Sequence, residues 1–312
     1  MFARGRPPVI VGSMSSAPIR YFHRYRQTVE TEQIFGEGWI RFAYQNPAGR
    51  FLVWLLIRRA IFSWWYGRKM NQRTSALRIL PFIAKYEIDA DDFKKSPFAF
   101  KTFNEFFYRG LRPGARPIAP GAKVAVLPAD GRHLAFPSLD AAAGVYVKGA
   151  RLPLPRLLGN PQLADDFSGG AMLVSRLCPV DYHRFHFPVG GQPGEARRID
   201  GWLYSVSPVA LRRNVEYLLA NKREVTLIES PVFGPVAMIE VGATNVGRIC
   251  QSFVPGRPVE KGDEKGFFAF GGSCVITLFQ RGRIRFDGDI VAQSGRFVET
   301  FARMGDRLGE AD

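Results

Sequence analysis

The hydrophobic rhythm of the chain changes near residue 110. Upstream, apolar side chains recur at helical spacing. Phe103, Phe106 and Phe107 share one face of a segment opened by Thr102-x-x-Glu105, a capping-box pattern, and read as core. Residues 75–86 read as a helical stretch interrupted near Pro81, and residues 88–93 supply capping aspartates. Asn46-Pro47 marks a further helix start, with Asn at the cap and Pro at the first helical position; this helix runs through residues 50–69 with Gly67 as its stop. Downstream, Pro and Gly punctuate short β-branched runs at 123–127, 144–148, 171–177, 224–228, 236–241, 246–253, 273–279 and 283–286. Runs of this length between turn signals predict a compact β-rich domain, with a short helical excursion over residues 150–168. No internal repeat or low-complexity block is present. The expected fold is α+β: a basic, flexible tail over 1–29, a helical region over 30–110 and a β-rich domain over 111–312.

Composition narrows the class. At 312 residues and 46% hydrophobic content, the chain buries a substantial core, which excludes wholesale disorder. Three cysteines, Cys178, Cys250 and Cys274, are too few and too scattered for a disulfide framework or a Cys-x-x-Cys metal site. The net charge of +15 is unevenly placed. Residues 1–126 hold 21 Lys/Arg against 8 Asp/Glu, a balance of +13, while the remainder holds 22 against 20. Basic charge gathered at one end calls for an anionic partner at that end. No helix-turn-helix, zinc-finger or RNA-recognition signature is present, so nucleic acid is not the expected partner.

An anionic membrane surface fits better. The longest unbroken apolar run in the 46–69 segment is seven residues, 51–57, against roughly 20 needed to span a bilayer. Arg58 and Arg59 fall at mid-helix, whereas three Trp, one Tyr and flanking basic residues suit the headgroup region. The expectation is an interfacial anchor; the alternative is a helix packed on the catalytic core. The first 29 residues carry five arginines and no acid, without the apolar stretch of a secretory signal.

Candidate chemistry lies in three segments. Gly271-Gly-Ser-Cys274 precedes an apolar run, and a serine after two glycines has little bulk around its hydroxyl. Leu127-Pro-Ala-Asp-Gly-Arg-His133 sets Asp130 in a turn, and Asp181-Tyr-His-Arg-Phe-His186 carries two of the four histidines. In an extended strand His183 and His186 point to opposite faces; in a loop both reach one site. A serine, a histidine and an orienting carboxylate make a working nucleophile.

Together these segments resemble the phosphatidylserine decarboxylases, a pyruvoyl-dependent family, over roughly residues 80–300. The likeness adds Thr102-Phe-Asn-Glu-Phe-Phe-Tyr-Arg-Gly-Leu-Arg-Pro-Gly-Ala-Arg-Pro-Ile118, Val241-Gly-Ala-Thr-Asn-Val-Gly247 and Lys261-Gly-Asp-Glu-Lys-Gly266. The family often has Leu-Gly-Ser-Thr where this chain has Gly-Gly-Ser-Cys, but Gly272-Ser273 is kept. The resemblance implies self-cleavage between Gly272 and Ser273 and a covalent pyruvoyl group derived from Ser273. That carbonyl would form a Schiff base with the amine of phosphatidylserine and release CO2 and phosphatidylethanolamine. It assigns Asp130, His186 and Ser273 to maturation. His183 is the candidate for substrate contact or proton return, and the rival assignment exchanges the two histidines. No metal is expected. Large and small chains would stay associated, with a homodimer left open, on the cytoplasmic face of a bacterial inner membrane or, alternatively, a mitochondrial inner membrane. Three rivals remain: a metal hydrolase on Asp181, His183 and His186, which lacks His-Glu-x-x-His; a serine hydrolase, which would prefer Gly where Val275 stands; and a non-enzymatic lipid-binding protein.

Overall fold

The computed structural model describes residues 18–139, 152–244, 248–269, 271 and 273–312. Sixteen strands occur in this set: β1 (Arg20–His23), β2 (Thr28–Thr31), β3 (Val124–Val126), β4 (Gly131–Phe136), β5 (Ala171–Leu177), β6 (Arg184–His186), β7 (Gln192–Pro193), β8 (Arg197–Ile199), β9 (Arg223–Ser230), β10 (Gly234–Val241), β11 (Ile249–Gln251), β12 (Glu264–Phe268), β13 (Ser273–Phe279), β14 (Arg285–Phe286), β15 (Glu299–Ala302) and β16 (Arg307–Glu310). Ten form the main sheet in the order β2-β1-β15-β4-β5-β13-β10-β9-β7, with β8 also on β9. Two three-stranded sheets, β11-β12-β6 and β14-β16-β3, pack beside it.

β13 runs down the middle, antiparallel to β5 on one side and β10 on the other. All seven of its residues are buried. Val275 and Phe279 face a core shared with the small sheets, through Phe185, Phe187 and Phe268. Cys274, Ile276 and Leu278 face a second core. With both faces covered, the strand reads as a continuous apolar run, not an alternating one.

Helices supply the second core and the N-terminal region. In chain order they are α1 (Glu37–Gln45), α2 (Pro47–Leu52), α3 (Ala60–Met70), α4 (Ile79–Tyr86), α5 (Phe103–Phe107), α6 (Leu154–Leu158), α7 (Pro161–Asp166), α8 (Pro208–Arg213), α9 (Tyr217–Ala220) and α10 (Gly288–Ser294). α6 to α9 place Leu157, Phe167, Leu211 and Leu218 against the main sheet. α1 docks on α8 through Ala43, Tyr44, Val209 and Ala210. Met70, Ile79, Phe82, Phe93 and the three α5 phenylalanines form a separate aromatic core, as their spacing predicts.

The fold is α+β, and several local expectations need correction. The C-terminal part of the segment expected as a tail enters the main sheet, where Tyr21, Phe22 and His23 pair in parallel with Glu299, Thr300 and Phe301, while residues 1–17 lie outside the described residues. Thr28–Thr31, which straddles the boundary with the expected helical region, closes that hairpin. The helix expected over 46–69 begins as read, with Asn46 Oδ1 accepting from the Ala48 N–H at 2.9 Å. It is not continuous. A π-helical turn at Val53–Ile57 follows α2, Arg59 is extended, and α3 starts afresh. Gly67 lies inside α3, which runs on to Met70. α4 passes through Pro81, because a proline in the first turn loses no intrahelical bond; the irregularity is a 3₁₀ stretch before it, Arg73–Arg78. The run at 144–148 lies outside the described residues.

Candidate active site

Ser273 is the first residue of β13, fully buried and opposite Leu177 at the end of β5. Gly271, two residues upstream, has φ 136°, a backbone conformation that disfavours side chains. Gly272, the expected partner in cleavage, lies outside the described residues. After Leu177 the chain turns tightly: the Asp181 N–H donates to the Cys178 carbonyl at 2.9 Å, and the Cys178 N–H donates to Asp181 Oδ2 at 2.6 Å. This turn delivers His183 to Ser273.

The His183 ring is fixed on three sides. Its Nε2 lies 2.9 Å from the Cys178 carbonyl oxygen, which can only accept, so Nε2 carries the proton. Nδ1 is then a free lone pair, 3.3 Å from Ser273 Oγ, placed to accept the hydroxyl proton. Phe107 stacks on the ring at 3.9 Å between centroids and 22° between planes. Burial, aided by the nearby Arg109 charge, pushes the His183 pKa down to about 3, so the ring is neutral at ordinary pH.

His186 sits on β6 three residues on, where its N–H donates to the Pro128 carbonyl at 2.7 Å. Its Nδ1 is buried without a hydrogen-bond partner among the described residues. Burial lowers its pKa to about 4, opposed by the Glu264 and Asp130 carboxylates. Asp130 accepts from Arg116 Nη2 at 2.7 Å and from the Met304 N–H at 2.9 Å. Arg116 Nη1 in turn donates to Asp92 at 2.8 Å. Asp181 is held by Arg132 Nη1 at 2.7 Å. Among the expected site residues, then, Ser273 and His183 share a hydrogen bond, whereas Asp130 and His186 meet through charge and not through one. Arg116, Arg132 and Phe107 carry no local sequence signal as partners of these groups. Among the described residues no cluster of three His, Cys, Asp or Glu is placed to hold a metal ion.

A cavity of about 220 Å³ borders this point: Leu177, the strand partner of Ser273, and Cys178, whose carbonyl meets His183, both line it. Trp39, Tyr44, Ile57, Phe62, Thr244 and Gly271 also line it. Outside it, Phe51, Trp54, Ile61, Trp64 and Trp65 are all more than half exposed. Arg68 lies over Trp64 and Lys69 over Trp65, each 5.8 Å from the ring centroid. Among the described residues no helix is long and apolar enough to cross a membrane.

These features define an α+β protein with a buried serine–imidazole pair beside an apolar cleft. Residues 103–310 match the family model described as phosphatidylserine decarboxylase. Phosphatidylserine decarboxylase proenzyme of Chlamydia trachomatis serovar L2 is 44% identical over 297 residues, 95% of this chain and 99% of that protein. The proenzyme of Fusobacterium nucleatum is 38% identical over 296 residues, again 95% and 99%. The chain belongs to the phosphatidylserine decarboxylase family. A solved structure, glucose permease IIA from Mycoplasma capricolum, aligns with 60% of this chain and 93% of that one at 14% identity and a TM-score of 0.31, too slight a likeness to define the fold.

Proposed function

We propose that this chain converts phosphatidylserine to phosphatidylethanolamine and CO2, using a pyruvoyl group made from its own Ser273. One observation carries the reading. The Ser273 hydroxyl is buried and lies 3.3 Å from a neutral imidazole, beside an apolar cavity. In maturation Ser273 Oγ attacks the Gly272 carbonyl carbon. The amide becomes an ester, and the nitrogen of residue 273 is released as an amine. Elimination across Cα–Cβ frees the upstream chain as a carboxylate, and water replaces the resulting enamine nitrogen, which leaves as ammonia. The carbonyl so formed supplies the electron sink that no ordinary side chain offers to a decarboxylation.

In the first assignment Asp130 orients His186, which takes the Ser273 proton. His183 then serves turnover: Nδ1 takes a proton from the substrate ammonium and returns it to Cα after CO2 departs. The 3.3 Å contact favours a second assignment, in which His183 itself takes the Ser273 proton. Either role begins from the neutral ring.

The substrate reaches the site from an anionic bilayer on which α2 and α3 lie. The exposed tryptophans, Arg59 and the Arg68–Lys69 pair support this placement, whereas Arg58 turns inward onto Tyr204. The bacterial relatives favour the cytoplasmic face of an inner membrane. Intact-mass analysis is expected to give chains of residues 1–272 and 273–312, the second refractory to Edman degradation. An uncut, Edman-readable chain in an active preparation would refute the proposal.

A further inference from the structure

Arg109 follows α5 and is buried to the same degree as the core, yet among the described residues it has no ion-pair partner of its own. Nη2 donates to the carbonyls of Val180 and Asp181, each at 3.4 Å. Nε and Nη1 are buried with no hydrogen-bond partner among the described residues. The two nearby carboxylates are engaged elsewhere, Asp130 by Arg116 and Asp181 by Arg132. The guanidinium is held between Phe93 and Phe106, 4.9 Å from each ring centroid. A buried cation without a carboxylate is costly, and two aromatic faces offset only part of that cost.

Its placement gives it a task. Val180 and Asp181 belong to the turn that swings from β5 to His183, and the carbonyls that Arg109 grips lie three and two residues before that histidine. Two residues before Arg109, Phe107 stacks on the His183 ring itself. One short segment, α5 with its C-terminal extension, therefore holds both the turn and the ring.

We propose that Arg109 and Phe107 are a positioning pair that fixes the His183 imidazole against Ser273. Phe107 sets the ring plane. Arg109 straps the turn so that the Cys178 carbonyl stays opposite Nε2 and Nδ1 stays opposite the serine. The same cation disfavours the imidazolium, keeping the lone pair available. The groups facing the ring are Ser273 from β13, the Cys178 carbonyl and Phe107; the charges around it are Arg109 and, further along the turn, the Asp181–Arg132 pair.

The proposal rests on the decarboxylase reading for its rate measurements only. Full-length Arg109→Gln, Arg109→Lys and Phe107→Leu are compared with wild type for cleavage, by intact mass, and for CO2 release from phosphatidylserine/phosphatidylcholine vesicles. In the step that His183→Ala impairs, Arg109→Gln and Phe107→Leu are expected to lower the rate about 100-fold, the order for a displacement of about 1 Å at a reacting group. Where that step is CO2 release, the loss falls in kcat with KM unchanged; where it is chain cleavage, it falls in the first-order cleavage rate. In both, Arg109→Lys recovers part of it. Ring ¹⁵N signals of His183 in a Ser273→Ala background give a readout free of turnover. The parent is expected to show a single Nε2–H tautomer; Arg109→Gln shows mixed tautomers and protonation at higher pH. Wild-type rates and ring signals in Arg109→Gln overturn the proposal. Should that variant not fold, Arg109→Lys decides, because it keeps the charge but loses the strap, and a wild-type rate there is equally fatal. Absence of CO2 release from wild type would sink the decarboxylase reading while leaving the ring signals to judge Arg109.

Discussion

Lys265 and Glu240 are both fully buried, and the ammonium lies 3.0 Å from Glu240 Oε2. Gln251 bridges them, accepting from Lys265 at 2.9 Å and donating to Glu240 at 2.9 Å. Burial pulls both groups towards neutrality, Lys265 downward and Glu240 upward. Lys265→Met would leave Glu240 charged in the core, and removing one partner of such a pair costs about 3–5 kcal/mol, roughly 10²–10⁴-fold in the folding constant. Glu240 can escape part of this by taking a proton. Its folded pKa is raised, so the deficit is small below the unfolded carboxylate value. It grows by about 1.4 kcal/mol per pH unit above that value and levels off once pH passes the raised folded value. Lys265→Met/Glu240→Leu removes both charges, leaves Gln251 its bond to Glu224 and is expected to return to within about 1.5 kcal/mol of the parent. The assay is urea unfolding of the uncut Ser273→Ala chain at pH 5 and pH 8, where a single polypeptide keeps the transition simple. A single-variant deficit under about 1 kcal/mol at pH 8, or a double variant as unstable as the single, refutes the argument.

Three further outcomes are expected. His183→Ala and His186→Ala will separate the proton assignments: under the first, only His186→Ala blocks chain cleavage while His183→Ala blocks CO2 release, and the reverse pattern in cleavage establishes the second; removing a general base costs roughly 10²–10⁴-fold. His133, His183 and His186 have folded pKa values of about 4, 3 and 4, below the ordinary 6.5. The unfolded chain therefore binds more protons, and stability is lost as pH falls from the ordinary histidine value towards these lower ones, a trend that unfolding curves across that range will show or deny. Trp64→Ser/Trp65→Ser should weaken sedimentation with anionic vesicles at least tenfold while leaving the melting temperature near wild type, since both rings are exposed; unchanged sedimentation removes α3 from the membrane contact.

The central strands were legible because their neighbours are simple. β5 and β13 are largely apolar runs that follow a glycine, and the structure places both as read. The hairpin at residues 20–31 was not legible. It offers only Tyr21, Phe22, Tyr25 and Val29 among polar residues, and its partner in the sheet lies about 280 positions away. The kink in the 46–69 helix escaped because its cause is tertiary. Arg58 turns inward to bond Tyr204 at 2.6 Å and to cover Trp202 at 4.1 Å, residues the local pattern cannot see. In the site, the two-histidine segment is the one whose His183 meets Ser273. Which ring meets Ser273 was decided by the turn after Cys178, whose hydrogen bonds leave no trace in composition. Arg109 was invisible for a similar reason: nothing in Phe-Phe-Tyr-Arg-Gly signals that its cation is buried.

The position of Ser273 at the head of an interior strand bears on what a cut there would do. The 40 residues from 273 onward contain β13, α10 and β14 to β16. β13 is hemmed in by β5 and β10, β15 lies between β1 and β4, and β16 lies between β3 and β14. The severed piece is thus woven through two sheets and cannot leave without dismantling both. Before the cut, folding is a first-order event of one chain. Afterwards the same architecture, once melted, must be rebuilt from two partners whose encounter depends on concentration. Cleavage would turn a reversible fold into a ratchet, with persistence governed by the unfolding barrier and no longer by the equilibrium that assembled it.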